Sequence, residues 1–125
     1  MASKEEYAAL KGYVKFWKKS LGLENWKVNY RFSDDIKNYG RTSIYPMCSE
    51  IYMEFASPKA LEDEECSGVG VNDLEVTVVH ELLHVRFHFG VYHDKVHHDH
   101  VEMAIEATAL SLVANRRGVY VDSLE

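Results

Sequence analysis

The residues able to do chemistry stand together in Val78-Val79-His80-Glu81-Leu82-Leu83-His84. His80 and His84 are one helical turn apart, so a helix puts both imidazoles on one face. Both can then reach one metal ion, and Glu81 can sit beside its water as a general base. Buried imidazoles and a buried carboxylate need partners, because an unpaired polar group in apolar surroundings is costly. The flanking Val78, Val79, Leu82 and Leu83 make this helix apolar nearly all round, hence buried. A metal supplies the missing partners.

A catalytic zinc usually takes three protein ligands and keeps one open position. The third ligand must therefore come from another element. Projected at about 100° per residue, the stretch after Asp99 places Glu102, Ile105, Glu106, Ala109, Leu110 and Val113 on one side. Ala104, Thr108, Ser111 and Asn115 fall on the other. Both glutamates thus lie in the apolar face, where solvated glutamates do not belong. Glu102 is expected as the ligand and Glu106 as the carboxylate that accepts a ring N–H and orients a histidine. The reverse assignment stays open. All the histidines lie between His80 and His100. His93, His97, His98 and His100 each read as surface residues, and His88 as a helix-end residue near the negative pole of the dipole.

The positioning elements follow from periodicity. Ser3 and Glu6 form a capping box for a helix to Ser20, with Tyr7, Leu10, Val14 and Trp17 as its apolar stripe and Gly22 as its stop. Trp26–Phe32, Arg41–Tyr45 and Ser49–Phe55 read as strands, the first and third alternating cleanly. Their short links predict an antiparallel meander. Residues 57–70 read as a loop, and the acidic run at 62–65 as solvated, because the spacing of a calcium loop is absent. Asn72 and Glu75 predict the start of the His80 helix, which should run to Phe89 and stop at Gly90. A last helix is expected over Asp99–Arg116. The fold class is α+β in one domain: an N-terminal helix, a three-stranded mostly antiparallel sheet, the histidine helix and a C-terminal ligand-bearing helix.

His80-Glu81-Leu82-Leu83-His84 followed by Glu102 and Glu106 resembles the zincin metallopeptidases of the gluzincin type. The interval from Glu102 to Ala109 resembles that of the small ImmA/IrrE-like peptidases. The whole chain is similar to short zincin-like proteins of phages and prophages, which share a segment like Leu21-Gly22-Leu23-Glu24-Asn25-Trp26. The metzincin pattern fails at Phe87 and Gly90. A SprT-like variant would use His97, His98 or His100 as third ligand. The resemblance implies a minimal zincin-like fold, one zinc per chain on His80, His84 and Glu102, and hydrolysis of a peptide or protein substrate with Glu81 as base. It also implies a substrate laid along an edge strand, for which Ser49–Phe55 is the candidate. Tyr92 and His93 are candidate oxyanion donors. The competing function is a non-catalytic, zinc-stabilised binding or regulatory protein of the same fold.

With 125 residues, 46% hydrophobic, the chain suits one packed domain. A formal charge of −6 argues against nucleic acid or an anionic membrane as partner. Met1–Glu6 lacks the apolar stretch of a signal peptide, so a cytoplasmic setting is expected, the host's if the chain is phage-encoded. Cys48 and Cys66 then read as free, small apolar residues rather than a disulfide or a ligand.

Overall fold

The computed structural model describes residues 2–68, 72–87 and 95–118, with backbone alone for 95–97. The first helix, α1, is Lys4–Ser20. Ser3 and Glu6 close the predicted capping box, with bonds of 3.0 and 3.1 Å. Gly22 ends the helix at φ 69°, a left-handed turn that a side chain would strain. There Leu23 N–H reaches back to Lys18 O and Gly22 N–H to Lys19 O, so two terminal carbonyls are satisfied. Leu10, Val14 and Trp17 are buried. Tyr7 is more exposed than its place in the stripe predicts, packing edge-on against Phe32 at 5.0 Å.

Three strands follow: β1 is Lys27–Ser33, β2 is Gly40–Tyr45 and β3 is Glu50–Ala56. The expected meander is not what forms. The sheet order is β1-β3-β2, with β3 parallel to β1 and antiparallel to β2. The strands β2 and β3 make a hairpin through a short 3-10 turn at Pro46–Cys48. The reason lies in residues 34–39, which read as a polar turn. Instead of folding back tightly, they pass the end of β3 and are pinned there. Ile36 is buried with Ala56 and Ala60. Ser57 Oγ donates to Asp34 at 2.5 Å, and Ala56 N–H to Tyr39 O at 2.9 Å. That leaves the central place to β3, whose Ile51, Met53 and Phe55 are fully buried as their alternation predicts.

The expected loop after β3 holds a four-residue helix, α2 (Pro58–Leu61), capped by Ser57 with proline at its start. Helix α3 is Leu74–Arg86. Its N-cap is Asp73, which accepts from Val76 N–H, not the predicted Asn72. Either residue can cap; Asp73 is fixed in the role by Arg117, which grips its carboxylate at 2.8 and 3.0 Å. Ten of the helix's residues are buried. Its far end is tied to the end of α1 by Arg86, which donates to Leu21 O and Gly22 O. The helix stops at Arg86, with Phe87 as its C-cap, short of the expected Phe89; the expected stop at Gly90 itself lies outside the described residues.

Helix α4, Lys95–Arg117, begins four residues before the predicted Asp99. It buries Ile105, Glu106, Ala109 and Val113, the face the projection picks out, though Leu110 is 38% exposed. The core packs α3 between α1, the inner face of the sheet and α4. Among the described residues no helix is long and apolar enough to cross a membrane.

Candidate metal centre

His80 and Glu81 are buried on α3, and His84, one turn on, is partly so. The three offer donor atoms that all lie within 4.8 Å of one another. Because α3 and α4 run antiparallel, Glu102 and Glu106 come down on this face from the other side. Glu102 meets both histidines, one with each oxygen: Oε2 is 3.1 Å from His80 Nε2 and Oε1 is 3.0 Å from His84 Nε2. Glu106 Oε1 is 2.9 Å from His80 Nδ1, and Glu106 is buried. The two glutamates thus take different places, Glu102 between the two Nε2 atoms and Glu106 behind His80.

The electrostatics of this cluster are strained toward a cation. A neutral imidazole has one N–H, yet His80 faces a carboxylate at each ring nitrogen. Burial opposes its charged form, but the hydrogen bonds to Glu102 and Glu106 prevail and raise its pKa to about 9. Those imidazole contacts hold the Glu102 carboxyl well below the usual carboxylate range. Burial pushes Glu81 the other way, up from the ordinary glutamate value. Glu106 Oε2 is buried and, among the described residues, has no hydrogen-bond partner. Among the described residues the carboxylates of Glu81, Glu102 and Glu106 converge on His80 and His84, and a divalent cation could pair with them.

The donor set fits such an ion. Two imidazole nitrogens and a carboxylate suit zinc, and nitrogen and oxygen ligands at about 2.0–2.1 Å in a tetrahedron would stand about 3.3–3.4 Å apart. Glu102 reaches each Nε2 with a different oxygen, at 3.0 and 3.1 Å, so its carboxylate already spans the two imidazoles that such an ion would join. Glu106 is placed to accept the Nδ1 proton of His80, which would leave Nε2 free to ligate. His80, His84 and Glu102 would hold the metal.

The cluster opens on a cleft of about 740 Å³ bordered by β2, α3 and α4, which His98 and Met103 also line. His98 Nε2 is 3.9 Å from Glu102 Oε1, further than either α3 histidine. His100 is exposed. Cys48 is exposed, and Cys66 packs against the Ile36 cluster; both are free thiols. Tyr92 and His93, the expected oxyanion donors, lie outside the described residues, as does His88; so does the His97 side chain. The Ser49–Phe55 segment does not offer an open edge, because β3 is paired on both sides. The edge beside the cleft is β2.

Sequence reasoning missed what β2 contributes. Thr42 Oγ1 donates to Glu81 Oε1 at 2.6 Å. The signal was present: in β2 alternate residues Gly40, Thr42 and Ile44 are the less exposed ones, so a hydroxyl stands on the inward face.

No family model matches the chain, and no curated protein or solved structure matches it.

Proposed function

We propose that the chain is a zinc-dependent metallopeptidase. The observation that carries the reading is the convergence of His80, His84 and Glu102 beside a buried Glu81 in an open cleft. Zinc, when bound, supplies a Lewis acid that polarises a carbonyl and lowers the pKa of water to about 7. Glu81 accepts the proton of the attacking water and passes it to the leaving amine. Its raised pKa suits a base that must release that proton again. Glu102 carries the negative charge of the ligand set, and Glu106 holds the ring of His80 in place. The outer edge of β2, unpaired among the described residues, offers main-chain donors and acceptors to an extended substrate, giving affinity with little sequence selectivity.

A zinc that only stabilised the fold would have no use for Glu81, so the non-catalytic alternative leaves that residue unexplained. The test is zinc content by mass spectrometry beside hydrolysis of a quenched fluorescent peptide library, for the wild type and Glu81→Gln. One zinc per chain in both proteins, with cleavage in the wild type alone, is the expected result. Equal cleavage by Glu81→Gln, or a wild type that takes up no zinc, would refute the proposal.

A further inference from the structure

We infer that Thr42 is a positioning residue for Glu81, holding one carboxylate oxygen so that the other serves the water in the cleft. This rests on the metallopeptidase reading above. The side chain of a glutamate on a helix has several rotamers, and a general base must keep one. Two features of β2 restrict Glu81. Its head is bonded by the Thr42 hydroxyl at 2.6 Å, a short bond to a charged group. Its stem is packed by Gly40, two residues earlier on the same face of the strand. A Cβ at Gly40 would lie 3.2 Å from Glu81 Cγ and 2.8 Å from Thr77 Cγ2, so only glycine lets the strand lie this close to α3. Thr42 is also β-branched, which limits the directions its hydroxyl can take.

The placement has a further meaning because β2 is the edge strand. The strand that would present its backbone to a substrate is the one that fixes the base. The register of a bound peptide and the direction of the Glu81 carboxylate are then set by one element, two residues apart.

Thr42 could instead serve only to pack or to satisfy a buried carboxylate, and two variants separate these roles. Thr42→Val keeps the shape and removes the hydroxyl; Thr42→Ser keeps the hydroxyl and removes the methyl. The zinc-loaded full chain is titrated calorimetrically with acetohydroxamic acid, a small chelator that makes no sequence-dependent contacts. On binding, its hydroxyl proton passes to the carboxylate beside the metal, so its affinity reports how well that base is placed. Zinc per chain is measured on every sample. Thr42→Val and Glu81→Gln should each bind the probe roughly tenfold more weakly, and Thr42→Ser within about twofold of the wild type, all with one zinc per chain. Wild-type affinity in Thr42→Val, or loss of zinc from that variant alone, would overturn the positioning role. A wild type without zinc would instead overturn the metallopeptidase reading, and this inference with it.

Discussion

Helices α3 and α4 meet at two charged clusters, each built on a buried residue of α3, one toward each end of their contact. At one end Glu75 of α3, 3% exposed, faces Arg116 and Arg117 of α4. At the other, His80 and His84 of α3 face Glu102 and Glu106 of α4. The first cluster is closed. Glu75 accepts from Trp17 Nε1 at 2.8 Å and from both arginines, while Arg117 also grips Asp73 and Arg116 lies over the Phe16 ring at 3.7 Å. Its cations are permanent, because guanidinium does not deprotonate in proteins. The second cluster is open. Its nitrogens are imidazoles, which can gain or lose a proton, and among the described residues one oxygen of Glu106 has no hydrogen-bond partner. On the reading proposed above, the two clusters contrast an ionic contact that completes a fold with one that would receive an ion.

The strongest way to break that comparison is Glu102→Ala. Structural zinc sites bind with about 10–16 kcal/mol over four ligands, about 2.5–4 kcal/mol each, so losing one ligand should weaken binding on the order of a few hundredfold, read by competition with a chelating dye. Unchanged affinity would remove Glu102 from the ligand set. The converse substitution belongs to the closed end. Arg116→Ala with Arg117→Ala leaves buried Glu75 with the Trp17 N–H but without its cations, and should lower the unfolding free energy by about 1–3 kcal/mol in urea while zinc stays at one per chain. Zinc loss there would mean that the two ends are not independent.

Glu106→Gln is a smaller perturbation. Removing the carboxylate behind His80 should weaken zinc about 10- to 100-fold without abolishing it; a loss larger than that of Glu102→Ala would exchange the two roles. The smallest effect is a proton count. With its pKa raised to about 9, His80 is charged at neutral pH and must release a proton when it ligates. Calorimetry of zinc uptake in buffers of different ionisation heat should detect that release, and affinity should climb as pH rises toward about 9. In the metal-free chain the sign reverses. A raised folded pKa adds stability that is full below about 6.5 and lost as pH rises through about 9. A pH-independent urea midpoint in the metal-free chain would contradict the His80 assignment.

Local patterns made much of this legible. The four-residue spacing of His80 and His84, the glutamates in the apolar face of α4, and the alternation of Ile51, Met53 and Phe55 are all visible within one turn or one strand. Contacts made across the fold were not. The strand order depends on where Ile36 finds apolar cover, and nothing in residues 33–40 announces Ala56 and Ala60 as its partners. Glu75 reads as half of a capping box, yet its partners are 41 and 42 residues away. Thr42 lies 39 residues from Glu81 and acquires its role only when β2 closes against α3. The short α2 could have been read from Ser57 and Pro58, a cap followed by a residue preset for the first helical turn.

The central position of β3 also orders events in time. The hairpin of β2 and β3 joins neighbours in sequence and can form within microseconds. The edge of β3 that β1 pairs with belongs to residues 50–56, and α1 packs on α3, residues 74–86. On a ribosome adding about 5–20 residues each second, the first third of the chain therefore emerges seconds before the surfaces that bury it. Leu10, Val14 and Trp17 spend that interval without the cover that α3 gives them in the finished fold.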